Sequence, residues 1–269
     1  MIANTAVLFG LLGAAAAGTI PNAGVSRIVR DVATEAVGEI SAASFSCGSL
    51  ASGLSKADCD HMSNIGMAGQ GVNSKSSSGK IWIGTDGANQ FIFKNTGAGP
   101  PLTVIVWDFP AGDYEASFMN VRKPKIAYSL PNVGDSVTVS VGNGVSGAFS
   151  FLANHKTVLS QYGQIYNTWG EFTTGDYATV DVSRLVNTRG NPINIKVQKN
   201  GCVSNMDKCV FQCKNSALTF CGESGSYNLV NCENGSQSGA SKGTWDGINP
   251  EGGCQGWSNG GKLEIGLVA

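Results

Sequence analysis

The sequence predicts an all-β protein, an antiparallel β-sandwich that carries a cysteine-rich, disulfide-bonded subdomain. Short segments of alternating apolar and polar residues follow one another from residue 81 to residue 197, separated by Gly, Pro and Asn turns. The chain of 269 residues contains 37 glycines and eight cysteines, and only 14% of its residues are charged. A chain of this length can bury one substantial core, with room for a small satellite.

Residues 1–18 are predicted to be a secretory signal peptide. An apolar run from Ala6 to Gly13 continues into four alanines, and such a run followed by small residues is typical of a cleaved leader. About twelve apolar residues are too few to cross a hydrocarbon layer of ~30 Å as a helix. We therefore expect an extracellular, secreted protein with no stable insertion into a membrane.

The next segment, residues 19–79, is predicted to contain a helix, a cysteine-closed loop and a linker. Apolar residues between 24 and 44 recur at helical spacing, with charged residues on the opposite face. The helix has four alternative roles: a prosegment, a membrane-surface helix, a helix packed on the β core, or a poorly ordered spacer. Because its polar face mixes acidic and basic residues, the membrane role is the weakest of the four.

Cys47 and Cys59 are expected to form a local disulfide, and a polar, glycine-rich linker is expected over residues 66–79. Asp60 and His61 directly follow Cys59 and raise the alternative of a metal site. One histidine and two spaced cysteines match no standard zinc pattern, however, so the sequence predicts no bound metal.

The sandwich core is predicted to span residues 80–200. Its strand candidates are short and regularly spaced, and no long helix interrupts them. His155 lies in a loop between two candidates, with no acid or nucleophile beside it in the sequence; we expect it to face solvent, with a catalytic role as the alternative. In chain order the candidates are 81–83, 90–95, 102–107, 114–120, 127–130, 136–141, 147–152, 178–182 and 193–197.

The last third of the chain, residues 201–269, is predicted to be the cysteine-rich subdomain, ending in a strand at 261–268. It contains few large apolar residues, so disulfides are expected to hold it together. Its six cysteines allow fifteen pairings, among which the sequence does not choose. Asn234 begins the glycosylation sequon Asn-Gly-Ser. The six cysteines are Cys202, Cys209, Cys213, Cys221, Cys232 and Cys254.

Polar side chains that could bind or react are most concentrated between residues 167 and 197. This stretch gives the candidate binding residues Trp169, Glu171 and Asp181. The two carboxylates fall at the edges of neighbouring strands, and glycoside hydrolysis requires such a pair, one protonated and one ionised. The alternative is that both carboxylates accept hydrogen bonds from backbone donors in turns. Trp169, like Trp245 and Trp257, offers a ring that can stack on a sugar or pack in a core.

Several short motifs in this region, in order, resemble the thaumatin-like family. Trp-Gly-Glu-Phe, Asp-Val-Ser, Gly-Asn-Pro-Ile and then Cys202 match the family's Ala-Glu-Phe, Asp-Val-Ser, Gly-Phe-Asn-x-Pro and following cysteine. Residues 91–109 are similar to the family's opening strand pair, and residues 130–149 to a later strand and loop. As a whole, the chain most resembles small fungal secreted effector- and allergen-type proteins built on that core.

The resemblance implies an acidic cleft between sandwich and subdomain, associated in the family with β-1,3-glucan binding and sometimes weak glucanase activity. Glu171 matches the glutamate of Ala-Glu-Phe, and Asp181 matches the aspartate of Asp-Val-Ser. The basic residue that the family places shortly before that glutamate has no counterpart here, and a long disulfide-tied loop is missing. The cleft is therefore expected to be shallower and less charged. The resemblance also implies that the C-terminal strand returns to the sandwich.

Two classes of function follow. The first is a non-enzymatic binding or effector-type protein that acts on a cell-wall polysaccharide or a host protein, and a disulfide-rigid protease inhibitor belongs to the same class. The second is a β-1,3-glucan hydrolase that uses Glu171 and Asp181. We favour the first, because the chain departs from the family around the cleft. A net charge of −1 disfavours nucleic acid as a partner, and no cofactor motif is present.

Overall fold

The computed structural model describes residues 45–77, 79–108 and 123–269. The predicted signal peptide, the predicted helix at 24–44 and the strand candidate at 114–120 lie outside these ranges. Within them the chain forms one α-helix and fifteen β-strands, which make up two sheets. No helix in this part of the chain is both long and apolar enough to span a bilayer.

The first sheet has six strands in the order β1-β5-β2-β15-β9-β10. The bounds predicted for β1, β5 and β9 are confirmed. The last strand, β15, lies inside the sheet between β2 and β9 rather than at its edge. The strands are β1 (Ile81–Ile83), β2 (Asn89–Asn95), β5 (Ser136–Val141), β9 (Ile193–Val197), β10 (Val203–Ser204) and β15 (Gly261–Leu267).

The second sheet follows the order β12-β11-β8-β7-β6-β3-β4, and the hairpin β13–β14 joins it through a contact between β14 and β8. The predicted elements did not include five of these strands. They also did not include β10 of the first sheet or the helix. The strands are β3 (Leu102–Asp108), β4 (Ile126–Leu130), β6 (Ser146–Ala153), β7 (Trp169–Thr173), β8 (Thr179–Ser183), β11 (Val210–Cys213), β12 (Tyr227–Val230), β13 (Ala240–Thr244) and β14 (Pro250–Cys254).

The main core lies between the two sheets and is dominated by phenylalanine rings. Phe91 and Phe93 point from β2 toward Phe149 and Phe172 on the second sheet, with edge-to-face ring centroids 4.8 Å apart for Phe91–Phe172 and 5.0 Å for Phe93–Phe149. All four rings are completely buried. Each such side chain stabilises the fold by about 1.5–3 kcal/mol through removal of apolar surface from water. The β-sandwich predicted from the alternating pattern is thus present.

The prediction of a purely antiparallel sandwich is wrong. Strand β15 runs parallel to β2, and β11 runs parallel to β8. Parallel neighbours require a long connection, and in both cases the chain between the paired strands is long enough to return in the same direction. The short turns that dominate the sequence indicate antiparallel hairpins and give no sign of these distant pairings.

All eight cysteines form disulfides, and the predicted local bond joins Cys47 to Cys59. The three disulfides after residue 200 are associated with strands that extend the sandwich sheets. Phe211 and Tyr227 belong to the same core as the phenylalanines of β2. Four disulfides are typical of an extracellular protein. The three later pairs are Cys202–Cys254, Cys209–Cys232 and Cys213–Cys221.

The segment before β1 covers the outer face of the second sheet. Helix α1 (Lys56–Asn64) begins at Ser55, whose side chain accepts a hydrogen bond from the backbone N–H of Asp58. Its residues Cys59 and Met62 join a second buried cluster that contains Trp107 and Trp169. Because successive side chains of a strand point to opposite faces, this cluster lies on the far side of the sheet from the main core.

Part of the predicted linker is fixed to the sandwich. Met67 is buried, and the Asn73 side chain makes three hydrogen bonds. Its Nδ2 donates to the carbonyls of Ser52 and Ala127 at 2.7 Å each, and its Oδ1 accepts from the Ala127 N–H at 2.8 Å. This asparagine therefore connects the N-terminal segment to β4, an interaction that the polar, glycine-rich composition does not reveal.

Candidate functional site

The structure brings the predicted acidic pair together. Glu171 on β7 lies directly opposite Asp181 on β8 in antiparallel register. Opposite residues project to the same face with Cβ atoms roughly 4.5–5.5 Å apart, so the two carboxyl groups are neighbours. Both residues are buried, with 0% and 1% of their surface exposed. In this conformation neither carboxylate reaches the surface, and a role for the pair in ligand binding stays a prediction.

The tryptophans considered as stacking platforms have different environments. Trp169 is buried edge-to-face against Trp107, with ring centroids 4.9 Å apart, and its Nε1 donates to the Ile165 carbonyl at 2.8 Å. Trp257 is buried as well, and its Nε1 donates to the Cys254 carbonyl at 3.0 Å. Trp245 is half-buried in the β13–β14 hairpin. Packing, the alternative to sugar stacking, therefore describes Trp169 and Trp257.

An open depression lies elsewhere, at the end of the sandwich where the β6–β7 loop meets the loop closed by Cys213–Cys221. It has a volume of about 330 Å³. The rings of Tyr162 and Phe220 meet edge-to-face in it, with centroids 6.2 Å apart, and Phe220 is 43% exposed. The lining residues are Val158, Leu159, Ser160, Gln161, Tyr162, Gln164, Tyr166, Leu185, Val186, Thr219, Phe220 and Cys221.

Two further depressions adjoin the first, and we call the three together the aromatic groove. One, of about 360 Å³, shares Tyr162 and Phe220 and extends toward Glu223. The other, of about 370 Å³, shares Tyr166 and extends past Lys156. An aromatic residue therefore lies at each junction between neighbouring depressions. Such a continuous surface suits an elongated ligand.

Local hydrogen bonds hold the first wall of the groove in place. The Ser160 N–H donates to the Gln164 carbonyl at 2.7 Å. The hydroxyl oxygen of Ser160 accepts from the backbone N–H of Tyr162 at 3.2 Å and of Gln164 at 3.3 Å. These bonds form a tight turn that presents the Tyr162 ring at its tip.

The second wall is held by its disulfide and by two backbone hydrogen bonds. Cys221 donates its N–H to the Leu185 carbonyl at 2.8 Å, and Thr188 donates its N–H to the Thr219 carbonyl at 3.0 Å. Both walls are therefore fixed before any ligand binds, which lowers the entropy cost of binding.

The middle depression is electrically neutral. None of its lining residues is Asp, Glu, Lys, Arg or His, and its polar groups are the amides of Gln161 and Gln164 and the hydroxyls of serine, threonine and tyrosine. A concave apolar surface with a few amide and hydroxyl groups is typical of a site for an uncharged ligand. The sequence prediction missed this groove, because its residues come from two loops far apart in the chain. The sequence feature that could have indicated the groove is the presence of aromatic residues in turn-rich loops, namely Tyr162, Tyr166 and Phe220.

Both histidines of the chain meet at a buried carboxylate, away from the acidic pair. Asp58 is only 3% exposed. Its Oδ1 lies 2.9 Å from His155 Nε2, and its Oδ2 accepts hydrogen bonds from the Ser55 hydroxyl at 2.8 Å and from the Ser129 hydroxyl. The His61 ring lies edge-on to the His155 ring at 5.7 Å. His155 is exposed to solvent, as expected, and its ring nitrogen is in addition bonded to α1 through Asp58.

This cluster does not have the geometry of a nucleophile triad, because the carboxylate lies between serine and histidine instead of behind the histidine. Burial lowers the pKa of His61, and the neighbouring His155 lowers it further. The carbonyl of Thr157 and the carboxylate of Asp58 act in the opposite direction. The dominant cause is burial, which disfavours the charged imidazolium.

The described residues contain one group of potential metal-ligating side chains, Cys202, Cys209 and Cys254. Their sulfur atoms all belong to disulfides, so they are not thiolate ligands. The predicted glycosylation residue, Asn234, is exposed, and its Oδ1 accepts a hydrogen bond from the Lys242 N–H at 2.9 Å.

The chain was also compared with known proteins. No protein-family model matches it, and no curated protein matches it significantly. The resemblance to thaumatin-like proteins therefore remains an expectation based on short motifs.

Proposed function

We propose that this protein is an extracellular, non-enzymatic binding protein and that its site is the aromatic groove. The ligand class we favour is a glycan of the cell surface or cell wall. A host protein, the other partner expected from an effector-type chain, is the competing outcome. The disulfide-bonded sandwich supports the extracellular location, and the resemblance in the β7–β8 region supports the glycan.

The observation that carries the proposal is the Tyr162–Phe220 pair in a neutral depression, with Phe220 exposed and Tyr162 half-buried. Aromatic faces contact the apolar faces of sugar rings, whereas nearby amides such as those of Gln161 and Gln164 can bond sugar hydroxyls. Both walls of the depression are held in place by the protein's own hydrogen bonds and disulfide. A polysaccharide segment would therefore meet a preorganised surface.

The hydrolase alternative has weaker support. Hydrolysis of a glycosidic bond requires two carboxyl groups that flank the bond directly. Glu171 and Asp181 are adjacent, but both lie beneath the surface. Access of a polysaccharide to them would require the covering residues to move, whereas the aromatic groove is open without any rearrangement.

Replacing Phe220 by alanine is expected to weaken glycan retention. An aromatic contact is worth about 0.5–1.5 kcal/mol, which corresponds to a roughly two- to twelve-fold loss of affinity. The measurement is a pull-down of wild type and Phe220→Ala on insoluble β-1,3-glucan, chitin and cellulose. Val72→Ala is the matched control, because Val72 is 70% exposed and does not line the groove.

The same tubes test the competing function. Reducing-sugar release by the wild type that is abolished in Glu171→Gln would establish the hydrolase and refute the non-enzymatic proposal. Equal retention of Phe220→Ala and wild type would show that the glycan binds outside the groove. If no polysaccharide retains the wild type, a glycan is not the ligand and the host-protein partner takes its place.

A further inference from the structure

We propose that Asp58, His61 and His155 form a pH-sensitive clamp that fastens α1 to the turn after β6 at neutral pH and releases it on acidification. The two histidines are the only ones in the chain. They are far apart in sequence, yet their rings are in edge-to-face contact and one of them binds a carboxylate that is almost completely buried. We call this group the histidine clamp.

The clamp joins three separate parts of the fold. Asp58 belongs to α1, Ser129 belongs to β4, and His155 belongs to the turn that follows β6. The Asp58 carboxylate accepts from both of the other two residues. A second contact joins the helix to the turn directly, because the His61 ring lies edge-on to the His155 ring with centroids 5.7 Å apart. Protonation of His155 would strengthen its contact with the Asp58 carboxylate, so the acid sensitivity of the clamp depends on His61 alone.

The turn itself has a backbone that requires such support. Asn154 and His155 both adopt left-handed conformations, with φ of 51° and 52°. Non-glycine residues adopt that region at a cost in backbone strain, and they persist there where the surroundings hold them. The hydrogen bond between His155 and Asp58 supplies part of that hold, so loss of the clamp allows the turn to relax.

Acidification opposes the closed clamp through His61. Its Nε2 is buried and has no hydrogen-bond partner in the structure. Protonation would therefore place an N–H donor without an acceptor at a buried atom of a ring that is otherwise half-buried. The charged groups around it are few: Asp58 and His155 face it, whereas Lys56 and Asp60 pair with each other on the exposed side of α1 and Lys156 is exposed.

The sign of the pH dependence follows from the lowered pKa of His61. In the open state the side chain returns toward its ordinary value of 6.5. Below that value the open state binds more protons than the closed state, so the free energy of opening falls as the pH falls. The closed clamp is fully stabilised above pH 6.5, loses stability as the pH falls from 6.5 toward the lowered pKa of His61, and loses no more below it.

Release of the clamp also affects one wall of the aromatic groove. Asn154, Lys156 and Thr157 line the depression that adjoins Tyr166. These residues flank His155 in the clamped turn. The clamp therefore sets the position of that wall, and its opening changes the end of the groove without touching the Tyr162–Phe220 pair.

Hydrogen exchange measured by mass spectrometry tests the clamp. Peptides covering residues 56–64 and 153–158 of the wild type should lose protection between pH 7.5 and pH 5.0, after correction for intrinsic exchange. For one histidine whose ordinary pKa is 6.5, linkage limits the increase in the opening equilibrium constant over this pH range to about thirty-fold. His61→Phe keeps an apolar ring and removes the titration, so this variant should lose little protection. Asp60→Asn is the matched control and should behave as wild type.

Acid-induced exposure that persists undiminished in His61→Phe would overturn the proposal. Should that variant fail to fold, the His61 ring signal can be followed by NMR in the wild type, with His155→Gln for assignment. A titration midpoint clearly below 6.5, accompanied by acid exposure of residues 56–64, supports the clamp. A midpoint at or above 6.5, or protection that does not change with pH, rules it out.

Discussion

Gly170→Ala is expected to lower the free energy of unfolding by about 3 kcal/mol, at the upper end of the overpacking range. Gly170 lies opposite Phe149 on the neighbouring strand. A Cβ atom at this position would come within 2.1 Å of Phe149 Cζ and 2.3 Å of its Cε2. Phe149 is completely buried and in ring contact with Phe91, Phe93 and Phe172, so it cannot move aside without displacing them.

Chemical denaturation of the purified variant and wild type measures this loss. Gly142→Ala is the control, because the nearest atom to a Cβ there is the Lys80 carbonyl oxygen at 3.7 Å and the residue has no positive φ. The control is expected to change stability by less than about 1 kcal/mol. An unfolding midpoint for Gly170→Ala equal to that of the control would mean that the sheets leave room behind Phe149, contrary to the packing described.

Removal of the Cys202–Cys254 disulfide should lower the free energy of unfolding more than removal of the Cys213–Cys221 disulfide. Its cysteines are 52 residues apart, whereas Cys213 and Cys221 are 8 apart. Chain-entropy arithmetic gives about 4 kcal/mol for the long loop and about 2.5 kcal/mol for the short one. Both sulfurs of the long loop are also buried in the main core, so replacing them by alanine removes packing as well.

The comparison requires two double variants, Cys202→Ala with Cys254→Ala, and Cys213→Ala with Cys221→Ala. Each keeps an even number of cysteines, so no free thiol is left to exchange with the remaining disulfides. Thermal and denaturant unfolding should rank the variants in that order. The reverse order would show that restriction of the unfolded chain does not dominate, and would direct attention to the local role of Cys213–Cys221 at the groove.

Strict alternation of apolar and polar residues allowed the bounds of β5 and β9 to be predicted correctly. In β9, Ile193, Ile195 and Val197 face the core while Asn194 and Lys196 face outward, and the predicted bounds were confirmed. Strands such as β13 and β14 contain Ser, Lys, Pro and Gly with no alternating apolar residues. Their extended conformation depends on pairing with each other and, for β14, with β8. The pattern of residues within one strand contains no information on which other strand it pairs with.

For the candidate site, the sequence identified which carboxylates lie together but did not indicate whether a ligand can reach them. It placed Glu171 and Asp181 on neighbouring strands, and the register makes them direct partners. It could not show that both side chains are buried, because part of that cover comes from β14, whose Gly253 lies against Asp181 and is distant in sequence. The aromatic groove and the histidine clamp each unite residues from distant parts of the chain, and no spacing rule connects them.

The central position of β15 has a consequence for biosynthesis. Its residues pair along their whole length with β2 on one side and β9 on the other. Until residues 261–267 have left the ribosome, β2 and β9 each have an unpaired strand edge, and the first sheet remains in two halves. Unpaired edges promote association with other chains, and pairing over such long sequence distances is slow. A nascent chain of this protein therefore needs protection from aggregation until β15 has emerged and paired, and deletion of residues 261–269 should yield insoluble material.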